Sequence, residues 1–174
     1  MVGGIIVLNG VSSAGKSTLA RAVQGALPVP WLVLGVDDLV AAAPAGMVEI
    51  GLAGEVLVGA GFAALDHAWA CGVAAMAKAG VGVILDMVLL DGGVAQRRLQ
   101  ASLGEARVFW VGVKCDAEIA EARELARGDR VVGMARRQMA MVHAGIAYDV
   151  EVDTSSGTPQ HCAQQLLAAL DRWQ

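Results

Sequence analysis

Residues Gly10-Val11-Ser12-Ser13-Ala14-Gly15-Lys16-Ser17 place two glycines, a lysine and a hydroxyl at the spacing G-x-x-x-x-G-K-[ST]. Each fixed position has a mechanical reason. The glycines let the backbone curl until successive N–H groups point at one anion, and a following helix adds its positive end. Lys16 is then expected to reach the β- and γ-phosphates of a nucleoside triphosphate, and the Ser17 hydroxyl to ligate Mg²⁺. The expected phosphate cradle is Gly10, Val11, Ser12, Ser13, Ala14, Gly15, Lys16, Ser17 and the adjoining Thr18. A Gly/Ser linker would not explain a lysine held between the apolar run Ile5–Leu8 and the helix-like run Thr18–Val23.

Transfer of a phosphoryl group needs more than a cradle. Asp37-Asp38 follows the apolar run Trp31–Val36, so a carboxylate stands at the carboxyl edge of a second strand, where α/β sheets bind ligands. One of the pair could accept the proton of an attacking hydroxyl while the other caps a helix starting near Leu39. Asp37 comes first off the strand and is preferred for catalysis, with Asp38 open as the alternative. Val83-Ile84-Leu85-Asp86 ends an apolar strand in an acid, which suits Mg²⁺ together with Ser17. Arg123, Arg127 and Arg130 recur at about one helical turn, and Gly128 between the last two suggests a short lid over about 123–131. Arg127 and Arg130 fit a lid that neutralises phosphate charge. Arg123 fits a solvated helix face paired with Glu121 and Glu124.

Other constellations carry less. His67, His143 and His161 have no metal-type spacing, and no G-x-S-x-G elbow is present. Cys71, Cys115 and Cys162 lie far apart without C-x-x-C, which predicts reduced thiols in or near the core.

These residues need a sheet to hold them. A chain of 174 residues, 56% hydrophobic and 17% charged, suits one compact domain spanning 1–174. Strand-like runs lie at Gly4–Leu8, Trp31–Gly35, Val81–Leu85, Val108–Val113 and Tyr148–Val152, and all but the last are continuously apolar, as strands covered on both faces are. Helical patterns near 17–26, 60–79, 92–103, 116–126, 133–144 and 159–172 alternate with them, predicting α/β with a parallel sheet. The glycine-rich stretch 45–61 breaks the rhythm and reads as a small hairpin, a flap over the sheet edge, or a flexible connection. Phe62, Trp69 and Met76 suggest a buried face on helix 60–79, with Phe62, Trp69 or Val88 available to line an apolar acceptor pocket. That helix could equally form a homo-oligomer interface. A net charge of −4 without a dense Lys/Arg tract argues against nucleic acid as partner. No uninterrupted apolar window reaches membrane-spanning length and no signal peptide is evident, so a cytoplasmic location is expected.

In this order along the chain, Leu8–Ser17, Pro30–Asp37, Trp110–Asp116, Ala126–Val131 and Val142–Thr154 resemble the chloramphenicol phosphotransferase family. The resemblance implies a P-loop NTPase fold like that of nucleoside monophosphate kinases, a three-layer sandwich with a five-stranded parallel sheet ordered 2-3-1-4-5. It implies ATP and Mg²⁺ as donor system and a primary hydroxyl of chloramphenicol as acceptor, hence antibiotic resistance. By motif, Asp37 takes the general-base position, Lys16 and its loop the phosphates, and Arg127 and Arg130 the lid arginines. The departures are Met87, where the family shows a second aspartate, Asp38 in place of a small polar residue, and a flap several residues shorter. They lie on the acceptor side.

The expected activity is therefore an ATP-dependent phosphotransferase acting on a hydroxyl of a small, partly apolar molecule. A metabolic kinase with another hydroxyl acceptor and a non-catalytic ATP sensor are the alternatives. A guanine-specific switch would carry N-K-x-D and D-x-x-G, and the chain has neither.

Overall fold

The computed structural model describes residues 4–51, 55–128 and 133–173. Its centre is β1 (Ile5–Asn9), every residue of which is buried. The chain then runs through α1 (Lys16–Ala26), β2 (Trp31–Gly35), α2 (Val36–Ala42), β3 (Val48–Ile50), β4 (Val56–Val58) and α3 (Phe62–Lys78). It continues through β5 (Gly82–Met87), α4 (Gly93–Leu103), β6 (Val108–Lys114), α5 (Ala117–Arg127), α6 (Met134–Val142), β7 (Val150–Asp153) and α7 (Pro159–Trp173).

Five strands form a parallel sheet in the order β2-β5-β1-β6-β7. Counting these five alone in chain order, this is the expected 2-3-1-4-5. Successive side chains of a strand point to opposite faces, and β1 divides accordingly. Ile6 and Leu8 face a core shared with α1, α5, α6 and α7, while Ile5 and Val7 face one shared with α3 and α4. Two helical layers therefore sandwich the sheet. The inner strands β1, β5 and β6 are buried on both sides and so apolar up to their carboxyl ends, which is why their run-like pattern was readable. The edge strands β2 and β7, expected to be covered likewise, are only partly buried because each has a single neighbour in the sheet.

Register sets the functional edge. Leu8 lies beside Asp86 on one side and Val111 on the other, and Gly35 pairs with Asp86. The carboxyl ends of β2, β5 and β1 thus stop level, and whatever follows each strand enters the same space. The chain leaves β1 for the β5/β2 side and returns to the β6/β7 side, so this space is a topological switch point.

The stretch 45–61 contains an antiparallel hairpin, Val48 pairing with Val58 and Ile50 with Val56. Residues 52–54, between its two strands in sequence, lie outside the described residues. Three other expectations change. β5 runs on to Met87, so Asp86 is within the strand rather than beyond it. The helix after β2 starts at Val36, putting both aspartates in its first turn. Helix α3 buries Ala70, Val73 and Ala77, while Phe62 and Trp69 are only half-buried and Met76 is exposed. Among the described residues, no helix is long and apolar enough to cross a membrane.

Candidate active site

The turn between β1 and α1 depends on two glycines for different reasons. Gly15 has φ +82°, a left-handed conformation that side chains oppose. A Cβ on Gly10 would sit 2.5 Å from the Val113 carbonyl oxygen, so only glycine lets the loop leave β1 alongside β6. At the start of α1 the Leu19 N–H bonds to the Gly15 carbonyl at 2.9 Å, so the positive end of the helix is presented at the cradle, where Lys16, Ser17 and Thr18 line the cleft.

The loop is braced from three sides. Ser12 N–H donates to Gln138 Oε1 of α6 at 2.6 Å. The Thr154 hydroxyl, following β7, lies 2.6 Å from the Ala14 carbonyl and 2.9 Å from that of Lys114. Lys16 is buried and bends back so that Nζ donates to the Val11 carbonyl at 2.8 Å. Within the cradle, Ser13 adopts φ +59° and its buried hydroxyl has no hydrogen-bond partner among the described residues. Such an orphan costs free energy unless something fills the turn. Phosphate oxygens would satisfy it, so this segment fits a nucleoside triphosphate.

Asp86 meets the loop from β5. Its Oδ2 accepts the Ser17 hydroxyl proton at 2.5 Å, and Oδ1 lies 3.6 Å from Lys16 Nζ. A hydroxyl and a carboxylate oxygen side by side are the hard donors that Mg²⁺ takes, so Ser17 and Asp86 fit that ion.

A cleft of about 700 Å³ joins this cradle to Asp37 and Asp38, with Val48, Ile50 and Val56 of the hairpin and Val88 beyond β5 lining it on the other side. The two aspartates do different things. Asp38 Oδ2 accepts Gly35 N–H at 2.6 Å, closing the first turn of α2 as a cap. Asp37, preceding it, is exposed to the cleft. Arg127 also lines the cleft, from the last turn of α5, while Arg130 lies outside the described residues. Phe62 and Trp69 do not line it; Val88 does.

The expected solvated face on α5 is corrected at two positions. Arg123 does not pair with helix neighbours; its Nη2 donates to the Thr154 carbonyl at 2.8 Å, and Nη1 would stand 3.5 Å from a Cβ on Gly15. It reaches over the Gly10–Ser17 turn because Thr154 follows β7, which pairs with β6, a long-range juxtaposition no helical spacing discloses. Glu124 is 1% exposed, and its oxygens accept Gly133 N–H at 2.7 Å and Ala135 N–H at 3.1 Å at the start of α6. One carboxylate thus ties α5 to α6 across the segment between them. Glu121 does form an ion pair, but with Arg136 of α6. Glu124→Ala leaves two N–H groups without their acceptor, and a loss of about 2–3 kcal/mol in unfolding free energy is expected from denaturant titration.

Behind the loop lies a polar node that the sequence did not signal. Buried Asn9 ends β1; its Nδ2 donates to the Val142 carbonyl at 2.8 Å and to Tyr148 Oη at 2.7 Å, and its Oδ1 accepts Leu89 N–H at 2.9 Å. Tyr148 Oη also lies 2.7 Å from His143 Nδ1. Burial pushes the phenol up to about 12. Burial, then the nearby Lys114 charge, pulls His143 from 6.5 down to about 4. An imidazole held neutral accepts the phenol proton while the phenol oxygen accepts from Asn9. Between pH 6.5 and about 4 the unfolded chain binds a proton that the folded chain refuses, so stability falls as pH is lowered through that window. Thermal melts from pH 7 to 4.5 are expected to show a shallower decline for His143→Gln than for the parent.

Residues 3–171 match the family described as chloramphenicol phosphotransferase-like protein. The chain belongs to that family. A Mycobacterium tuberculosis protein (strain H37Rv) with the provisional name O-phosphotransferase is 31% identical over 177 aligned residues, covering 91% of this chain and 78% of that one. Among solved structures, a sugar kinase from Janibacter sp. HTCC2649 superposes with TM-score 0.73 at 19% identity, covering 97% of this chain and 95% of that one. Shikimate kinase from Acinetobacter baumannii, solved with shikimate, gives TM-score 0.66 at 16% identity, covering 99% and 95%. The APS kinase of Mycobacterium tuberculosis, solved with AMPPNP and APS, gives 0.65 at 18%, covering 97% and 98%. The fold is that of the P-loop kinases. As a chloramphenicol phosphotransferase-like protein, the chain is a small-molecule kinase.

Proposed function

We propose that the chain transfers the γ-phosphoryl group of ATP to a hydroxyl of a small, partly apolar, uncharged molecule, chloramphenicol or a compound of similar chemistry. The observation that carries this is the division of one cleft into two chemically unlike halves. Among the described lining residues, the cations are Lys16, Arg21, Arg123 and Arg127, all from α1 or α5. The hairpin side contributes Val48, Ile50 and Val56 instead. Anionic phosphates suit the first half. The second would strip water from an acceptor and, among the described residues, offers no cation beside Asp37 and Asp38, which disfavours an anionic acceptor.

In this mechanism the backbone N–H groups of the loop and Lys16 hold the triphosphate and neutralise the oxygens that gain charge during transfer. Ser17 and Asp86 would hold Mg²⁺, which supplies further charge neutralisation between the phosphates when bound. Asp37 accepts the hydroxyl proton as the acceptor oxygen attacks phosphorus in line. Arg127 closes on the transferring group from α5, with Arg130 assigned the same role by motif. Arg123 steadies the phosphate turn through its contact with Thr154.

Incubation with ATP–Mg²⁺ and chloramphenicol, followed by mass spectrometry of the small molecule, tests the proposal. Gain of one phosphoryl group is the expected result. Phosphorylation of another neutral alcohol but not chloramphenicol would keep the kinase and replace the acceptor. Transfer to anionic acceptors alone would overturn the assignment of the apolar half.

A further inference from the structure

The three cysteines have different surroundings, and one belongs to a side-chain cluster outside the kinase cleft. Cys162 is buried, its thiol 3.4 Å from the Asp153 carbonyl, and burial pushes its pKa up. Cys115 is half-buried and receives Arg123 Nη1 at 3.4 Å. Cys71, expected near the core, is exposed instead. It lies one helical turn from His67 on α3, with Sγ 3.7 Å from the imidazole Nε2, and the thiol also donates to the Ser102 carbonyl of α4 at 3.6 Å.

Hydrogen bonding assigns the tautomer of that imidazole. The Ser102 hydroxyl of α4 donates to the Arg98 carbonyl at 3.2 Å, which leaves its oxygen to accept. His67 Nδ1, 2.9 Å from the same oxygen, is therefore the donor. With the proton on Nδ1, Nε2 carries the lone pair and faces the thiol. A nucleophile within reach of a base, itself oriented by a third group on another helix, is the arrangement by which proteins activate thiols.

We propose that Cys71 is a reactive thiol served by His67 as base, and that it is a site of modification by small disulfides. In the step, His67 Nε2 takes the thiol proton and the Cys71 sulfur attacks one sulfur of the disulfide. A mixed S–S bond forms as the original one breaks. The departing thiolate recovers the proton from His67 and leaves as a free thiol. Cys71 is oxidised, and half of the disulfide is reduced, so no other oxidant is needed. Exposure admits a small disulfide to Cys71, whereas Cys162 is sealed. Arg123 offers Cys115 a charge but no proton acceptor.

The test is incubation of the full chain with oxidised glutathione, with site-resolved mass spectrometry over time. The first adduct is expected at Cys71, a slower one at Cys115 and none at Cys162 while the protein stays folded. His67→Gln should slow the Cys71 adduct by about a hundredfold, the lower end of general-base effects, with the Cys115 rate unchanged. Ser102→Ala, which frees the imidazole tautomer without removing the base, should slow it less, and it serves as the second variant should His67→Gln fail to fold. Earlier modification of Cys115, or a Cys71 rate unaffected in both variants, would overturn the proposal.

Discussion

Asp37→Asn is expected to lower turnover by about two to four orders of magnitude while nucleotide binding changes by no more than about twofold. Asparagine keeps the shape of the side chain and the first turn of α2, but it cannot accept the hydroxyl proton. Asp38 is badly placed to substitute, because its Oδ2 is engaged with Gly35 N–H at 2.6 Å. The matched variant Asp38→Asn weakens that cap, so it should cost about 1 kcal/mol of stability and leave most of the activity. Steady-state kcat and KM, with calorimetric titration of ATP, separate these outcomes. An active Asp37→Asn beside an inactive Asp38→Asn would move the base one residue along the helix.

Gly10→Ala should damage both stability and nucleotide binding, although it adds one methyl group. The new Cβ would meet the Val113 carbonyl oxygen at 2.5 Å and the Val113 Cβ at 3.3 Å. The obstacle is backbone of β6, paired to β1 throughout Ile5–Asn9, and it cannot rotate away as a side chain would. A loss of about 1–3 kcal/mol is expected from overpacking, and the displaced loop should bind ATP at least about tenfold more weakly, equivalent to about 1.4 kcal/mol. Gly25→Ala in α1 is the control. A Cβ there meets nothing within 4 Å, so a gain of up to about 1 kcal/mol is expected from helix propensity. Denaturant unfolding and ATP titration of the two variants measure the contrast.

Much of the sheet was legible because its physics is local to each strand. Ile5–Leu8 and Val108–Val113 read as buried strands from their unbroken apolar character, since both faces of the sheet are covered. The last helix was readable from about residue 159, and the Thr158 hydroxyl caps its start by accepting His161 N–H at 3.2 Å. The segment 45–61 was not decidable. Its glycines permit a hairpin without requiring one, and the pairing of Val48–Ile50 with Val56–Val58 forms over a cleft made by distant residues. Glu124 misled for a related reason. Its sequence neighbours are charged, so spacing suggests a solvated face, yet the start of α6 folds back onto it and supplies N–H donors.

By itself the sequence determined the turn at Gly10–Ser17, because Gly15 permits its left-handed backbone and Lys16 and Ser17 follow directly at the start of α1, while the need for glycine at position 10 comes from the Val113 carbonyl of β6. It also determined that an acid stands at the carboxyl end of the second and third strands of the sheet, Asp37 just past β2 and Asp86 within β5. Only the tertiary structure decided what those acids meet. The register of β2, β5 and β1 brings Asp86 onto Ser17 and opens Asp37 toward the same cleft. The fold likewise seats Arg123 over Gly15, buries Glu124 and joins Asn9 to Tyr148. Those contacts span many residues of chain, and their partners are chosen by strand order and helix packing rather than by any local pattern.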